Sequence, residues 1–553
     1  MAITRFNDIT ALIIDDSNMV LISVRGSLKE MGFIESNITH TATISKAKYL
    51  CRRHIYDIVL CDYNFGEGLN GRQFIDEIKH LKKFPPTTSL VMLTGESNIN
   101  VVRGIAELYP DEYLLKPFTF NLLKEKVTIA IERRSALQTV YQLLNKNDIE
   151  KALIECERLL PQQPKFKNKL NKFKGEFLLH LNRGKEAEKL YRELLRTDNS
   201  TWCKVGLANS LNAIGEYKAA SDIFEKLLKT NNKNVDVLHY LGQSSLTQNN
   251  IPKAIKYFKF AADLSPTNPD RVLIIANLCF AVNDYKSSLN YYLNYAELSK
   301  GMYRENHSTI LNPARVMGII ASYSEKNSAE NRQLISNIKE ILKTFLLLEK
   351  EANENIHVEL IMVKLLLLEG DIAQALALLK GTLSKPHDDD FYSSFFKAEL
   401  FAELDLSKES NEAIERCKTL CADTQNKLVL QSQIVMASNF QKKIKKRNIK
   451  VQKSFEDGLA FEKQQDWQNA IKCYEFTLRL SPYLGVVSFK ILTILSHAWP
   501  TTRNRKQICE LAKSCDKTII NFWSSDQRNK ANYSPLKEKV WLQIKLKEVD
   551  DNA

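Results

Sequence analysis

Four polar landmarks in the first 120 residues could do chemistry together. They are the acidic pair Asp15 and Asp16, then Asp62, then Thr94, then Lys116 followed by Pro117. Three carboxylates held close together repel one another, and a hard divalent cation such as Mg²⁺ relieves that repulsion. An ammonium and a hydroxyl beside them suit the oxygens of a transferring phosphoryl group. The set points to a magnesium and phosphoryl site, and through it to a switch.

Such a set needs a frame. Each landmark follows a short run rich in Ile, Val and Leu: Ala11 to Ile14, Ile58 to Cys61, Leu90 to Leu93 and Tyr113 to Leu115. Runs of this kind read as buried parallel strands. In an open parallel sheet, ligands bind beside the carboxyl ends of the strands. Four distant stretches would therefore deliver their polar groups to one place. Strand-like segments near 10–15, 38–43, 57–62, 89–94 and 111–115 alternate with helix-like segments near 18–31, 45–53, 71–81, 99–108 and from 119 onward. That alternation predicts a doubly wound α/β domain over residues 1–125.

The four landmarks in register make this stretch similar to the CheY-like receiver domain of two-component response regulators, a flavodoxin-like fold. The resemblance implies that Asp62 is the phosphoacceptor, a nucleophile that forms an acyl phosphate. It implies Mg²⁺ held directly by Asp16 and Asp62, by the backbone carbonyl of Asn64, and by Asp15 through water. Lys116 would neutralise the phosphoryl oxygens, Thr94 would move to hydrogen-bond one of them, and Tyr113 would be the switch aromatic that turns inward. A helix N-terminal cap is the plain alternative for Asp15 and Asp16. A sheet-edge tyrosine without switching is the alternative for Tyr113. The implied partner is a histidine kinase or phosphotransfer protein.

One loop departs from the family pattern. Gly66 stands where most receivers carry proline, and Gly71 comes nine residues after Asp62 rather than eight. The loop is expected to be longer and more flexible. Asn64 and Glu96 lie two positions past Asp62 and Thr94, a pairing that resembles the chemotaxis regulators. A short-lived phosphoryl state is the expectation.

The rest of the chain reads as helix. Hydrophobic residues make up 44% of 553, while Gly (18) and Pro (14) are few, which favours packed helices over all-β architecture. From Asn121 to Asn145 there is neither Pro nor Gly, so the last receiver helix is expected to run on into the next domain. Small and large residues four apart then recur at Ala152/Cys156, Ala187/Tyr191, Ala220/Phe224, Ala254/Phe258 and Ser288/Tyr292. A repeat of roughly 34 residues with turn signals before each pair resembles the tetratricopeptide (TPR) repeat. Stacked repeats of this kind bury a continuous core and expose a groove for a protein partner that the sequence leaves unidentified. The expected organisation is 126–300 as TPR repeats, 301–440 as degenerate TPR-like repeats, and 441–553 as a C-terminal helical region with a clearer unit near 452–485. Overall the expectation is an α/β receiver followed by an all-α TPR-type solenoid.

Charge is uneven. Residues 1–125 carry 14 Lys and Arg against 15 Asp and Glu, whereas the whole chain has a net charge of +13. The run Lys442, Lys443, Lys445, Lys446, Arg447, continuing to Lys450 and Lys453, is the densest basic stretch. A solvated helix face or linker is its bland reading, and nucleic acid is not the expected partner. A nucleic-acid regulator acting through 442–453 is one alternative function, and a constitutive adaptor or phosphate sink is another. The ten cysteines form no C-x-x-C pair and fit no zinc spacing, so reduced thiols in a cytoplasmic protein are expected. There is no secretory pattern, and the longest apolar stretch, Ile361 to Leu368, is too short for a membrane span. No cyclic-dinucleotide synthase, metal-phosphodiesterase or nucleotide-binding signature occurs. Beyond the receiver's own phosphoryl uptake and loss, no enzyme is expected.

Overall fold

The computed structural model describes residues 6–550, apart from 66–68, 96–98, 349–354, 386–388, 422–425 and 501–502. Gly66 and Glu96 lie outside the described residues. The chain divides into two compact units, Met1–Ile275 with Asn294–Glu305, and Ala276–Leu293 with Asn306–Ala553.

The first unit opens with five strands, β1 (Ala11–Ile14), β2 (Ile38–Thr41), β3 (Ile58–Asp62), β4 (Ser89–Thr94) and β5 (Glu112–Leu115). All pair in parallel, in the order β2-β1-β3-β4-β5. Burial follows that order. The inner strands β1, β3 and β4 are buried at every position, while the edge strands β2 and β5 are not. Continuous apolar text therefore marks the strands covered on both faces.

Five helices supply that cover: α1 (Asn18–Met31), α2 (Ile44–Arg53), α3 (Gly71–His80), α4 (Ile99–Ala106) and α5 (Phe120–Ala136). Alternate strand residues serve opposite faces. Ala11, Ile13, Leu60, Val91 and Leu93 pack with Val24 and Leu28 of α1 and Val127 and Ile131 of α5. Leu12, Ile14, Val59, Cys61 and Met92 pack with Ala47 of α2, Phe74 and Ile75 of α3, and Ile105 of α4. This is the doubly wound α/β arrangement that the alternation predicts.

The expected unbroken helix from Asn121 to Asn145 is interrupted. Leu137 takes φ −111° and ψ 14°, and α6 (Gln138–Asn145) restarts behind it. The Leu137 side chain is fully buried among Val140, Tyr141, Leu153 and Phe177. The demand of the helical core for that side chain is the physical reason for the break.

Antiparallel helix pairs follow, including Lys167–His180 with Gly184–Leu194, Thr201–Ala213 with Tyr217–Thr230, and Val235–Thr247 with Ile251–Leu264. Their tight turns use a left-handed residue: Asn147, Asn182, Gly215, Asn249 and Asn283 all have positive φ. Asparagine and glycine tolerate that conformation best. The small/large pairs behave as their spacing implies. Ala187, Ala220, Ala254 and Ser288 are fully buried, and Tyr191, Phe224, Phe258 and Tyr292 nearly so. A methyl group added at Gly206 would stand 2.1 Å from the Tyr191 ring, so close helix approach depends on both partners.

The second unit is helical among its described residues. Left-handed turn residues recur there at Asn327, Gly370, Asp405 and Gln465, but at irregular intervals. Two long helices, Ala329–Leu348 and Lys427–Lys463, stretch the units that contain them. No helix among the described residues is long and apolar enough to cross a membrane.

Candidate functional site: an acidic pocket at the strand ends

The sheet order puts β1 and β3 side by side, so Asp15 and Asp62 leave adjacent strand ends. Asp15 is fully buried and Asp62 is 5% exposed, while Asp16 is exposed. Carboxylate oxygens of all three lie within 4.8 Å of one another. Lys116, just past β5, reaches between them. Its Nζ stands 2.6 Å from Asp15 Oδ2 and 3.1 Å from Asp62 Oδ2. One ammonium among three carboxylates leaves a net negative, oxygen-rich pocket, which fits a hard divalent cation.

The remaining Asp62 oxygen is also fixed, since Oδ1 accepts a hydrogen bond from Tyr63 N–H at 2.8 Å. Burial raises the Asp62 carboxyl above its ordinary value, and Lys116 opposes that rise. Asp15 Oδ1 accepts from Ser17 N–H at 3.0 Å, so part of its role is to shape the start of α1. Thr94 ends β4 with 1% exposure, and its carbonyl accepts from Lys116 N–H at 2.7 Å. Asn64 is exposed at the loop start. Tyr113 lies on the edge strand, 53% exposed, and the structure does not bring it into the acidic cluster.

The loop after Asp62 returns to the pocket at Gly71. Gly71 N–H donates to the Tyr63 carbonyl at 2.8 Å. A Cβ there would stand 2.0 Å from the Asp62 carbonyl oxygen, so no larger residue fits without movement. Asn70 caps α3 reciprocally with Gln73.

Beside the pocket lies an ion cluster that the sequence reading missed. Arg72, next to Gly71, is buried and donates to the Gly104 carbonyl at 2.6 Å and to Glu107 Oε2 at 3.4 Å. Glu107, just past α4, also pairs with Arg271 and accepts from Ser265 Oγ at 2.9 Å. Arg271 in turn donates to the Ser265 carbonyl at 3.1 Å. A second bridge joins Arg304 to Asp76 of α3 and to Asp270. His80 stacks on Tyr303 with ring centroids 3.6 Å apart. The α3–α4 side of the sheet domain is thus tied to residues 265–271, a link and the start of the helix Pro269–Ala281, and to the turn at 303–304. The sequence signal for it was the charged pair Asp270 and Arg271 at the start of a mainly apolar helix.

The basic run sits on the helix Lys427–Lys463 rather than in a linker. Ile444 is buried, Lys443 and Arg447 have internal partners, and Lys442, Lys443, Lys445, Lys446, Lys450 and Lys453 are exposed.

The chain is similar in part to known families and proteins. The family described as "Response regulator receiver domain" matches residues 11–128, and "Tetratricopeptide repeat" matches residues 205–269. Chemotaxis protein CheY-3 of Vibrio cholerae is 28% identical over 124 residues, covering 22% of this chain and 91% of that protein. Chemotaxis protein CheY of Pseudomonas aeruginosa is 26% identical over 125 residues, covering 22% of this chain and 95% of its own length. Among solved structures, Vibrio cholerae chemotaxis protein CheY4 matches at 20% identity and TM-score 0.20, over 22% of this chain and 98% of that one. A CheY-like receiver domain protein from Methanospirillum hungatei matches at 20% identity and TM-score 0.21, over 23% and 95%. The acidic pocket of Asp15, Asp16 and Asp62 thus belongs to an N-terminal CheY-like response regulator receiver domain, and the chain continues from it into a TPR repeat region.

Proposed function

We propose that this chain is a cytoplasmic response regulator of a phosphorelay, in which Asp62 accepts a phosphoryl group and the receiver's state controls protein contacts of the TPR region. The observation that carries the reading is the acidic pocket, with Lys116 Nζ at 2.6 and 3.1 Å from Asp15 and Asp62. A carboxylate oxygen of Asp62 attacks the phosphorus of a phosphohistidine on a histidine kinase or phosphotransfer protein. The P–N bond breaks as the acyl phosphate forms, and the histidine takes up a proton. Lys116 balances charge on the phosphoryl oxygens. Asp16, Asp62 and the Asn64 carbonyl would hold Mg²⁺, with Asp15 acting through water. The cation supplies charge neutralisation for the incoming phosphoryl group. Thr94 then hydrogen-bonds a phosphoryl oxygen, and Tyr113, exposed on the edge strand, turns inward.

The route to the repeats runs through α3 and α4. Gly71 abuts Asp62, Arg72 follows it, and Glu107 joins Arg72 to Arg271. A shift of α3 or α4 on phosphorylation would load this cluster directly. The test is labelling by acetyl phosphate with Mg²⁺, for the wild type and Asp62→Ala. Label on the wild type alone supports the phosphoacceptor, and label on both variants or on neither refutes it. Hydrogen exchange with Mg²⁺ and beryllofluoride then reads transmission: faster exchange at 265–271 supports control of the repeats, and no change favours a constitutive adaptor. Asn64 supports a short-lived phosphoryl state, and a label stable for many hours contradicts it.

A further inference from the structure

The second unit carries a charged surface that the phosphoryl reading does not use. Between Lys427 and Phe455 the long helix has no carboxylate and eight Lys and Arg. The structure sorts these residues into two groups. Lys443 is built into the fold: its Nζ donates to Asn283 Oδ1 at 3.0 Å and Tyr285 Oη at 3.1 Å, and it lies over the Tyr285 and Tyr323 rings. Arg447 donates to the Ala402 carbonyl at 2.6 Å and pairs with Asp405. Lys442, Lys446 and Lys450 are exposed, and no carboxylate among the described residues pairs with them.

Those three lysines line a groove of about 520 Å³, closed by Ala281, Asn439 and Leu480, whose wall contains no acidic residue. On the other flank of the helix, Lys442 and Lys445 share a groove of about 500 Å³ with the amides of Gln441, Asn448 and Gln452. We propose that this helix flank is a docking surface for a short, extended acidic segment of a partner protein.

Length and charge both favour that occupant. Residues 442, 446 and 450 are spaced about 6 Å apart along a helix axis. Alternate side chains of an extended chain are about 6.6 Å apart, so every second Asp or Glu meets a lysine. From Lys442 to Lys453 the patch spans about 16 Å, enough for about five extended residues. Amide side chains beside the lysines suit the peptide groups of such a segment. A phosphate backbone fits less well. The neighbouring helix Ser407–Cys421 exposes Glu412 and Glu415, and Glu415 accepts from Gln441 Nε2 at 3.4 Å, so carboxylates bound the patch on that side.

The test uses the full chain and fluorescein-labelled hexaglutamate, with hexaglutamine and single-stranded oligouridylate as comparators, read by anisotropy at two salt concentrations. The variant is K442E/K446E/K450E, and the control is K185E/K189E/K218E, three exposed lysines of the first unit. The expected result is salt-sensitive hexaglutamate binding that weakens at least tenfold in the groove variant and less than twofold in the control. Equal binding of hexaglutamine overturns the proposal, as does an equal loss in both triple variants. Tighter binding of oligouridylate, lost in the same variant, overturns it in favour of nucleic acid.

Discussion

Replacing Glu107 by Gln isolates the contact between the receiver and the repeats. Glu107 is largely buried, with its side chain 9% exposed, and serves two buried guanidiniums, Arg72 and Arg271, together with Ser265 Oγ. Burial alone would raise its carboxyl, but Arg271 and Arg72 outweigh that and hold it below the ordinary value. Glutamine keeps the shape and removes the charge, leaving both arginines without their counter-ion. Breaking one side of a buried pair costs about 3–5 kcal/mol. If that loss falls on docking rather than on global folding, local opening rises about 10²- to 4 × 10³-fold. Hydrogen exchange resolved at 103–108 and 265–271 should speed up by that factor, while exchange in β1 and β3 stays as in the wild type. The pH sign follows from the lowered carboxyl. Its contribution is complete above the ordinary glutamate value of about 4.3 and is lost as pH falls through the lower folded value. The wild type should therefore approach the variant's exchange only in acid. If exchange in both segments stays within threefold of the wild type, the arginines are satisfied without Glu107 and the coupling route fails.

Other perturbations test the pocket and the second unit. Gly71→Ala puts a methyl 2.0 Å from the Asp62 carbonyl, and overpacking of this kind should cost about 1–3 kcal/mol in thermal unfolding and slow acetyl-phosphate labelling. Asp62→Asn should abolish labelling yet raise Tm. Because burial lifts the Asp62 carboxyl, its ionised form opposes folding above the folded value, and this is relieved as pH falls or as the charge is removed. A lower Tm at neutral pH would contradict this. Burial pushes Glu399 up to about 8 despite Lys364 and Lys443 nearby. The folded second unit then holds a proton that the unfolded chain releases, so its stability should decline from pH 5 to pH 8 and flatten above. Glu399→Gln should remove that slope in calorimetry.

The receiver was legible because its inner strands are buried at every position and its chemistry sits at strand ends. The runs at 11–14, 58–62 and 89–94 could be read as inner strands because both faces are covered, and the landmark after each then had only one place to go. The early repeats were legible for a similar reason. Close helix packing fixes small/large pairs such as Ala220/Phe224, and each hairpin turn needs a left-handed residue. Past residue 300 the same devices persist, as at Ala375 with Leu379 and Gly370, or Ala470 with Tyr474 and Gln465. The helices there differ in length, up to 37 residues at Lys427–Lys463, so the period is lost although the packing rule survives.

What could not be read was any contact whose partners come from unrelated periods. Arg72 and Arg271 are 199 positions apart, and neither alone points to the other. Their meaning comes from Glu107, which lies at the end of the one receiver helix, α4, that follows the Thr94 strand. A cluster placed there is sensitive to both sides. A receiver that moves α4 changes the carboxylate, and a repeat that moves residues 265–271 changes the counter-ion. By linkage the coupling must run in both directions. A ligand that draws Arg271 away from Glu107 should alter phosphoryl uptake at Asp62 by the same free energy that phosphorylation exerts on that ligand. The phosphorylation equilibrium with a phosphohistidine donor, measured in Arg271→Met, is the direct readout. A position equal to that of the wild type would mean that the receiver and the repeats share a contact without sharing a switch.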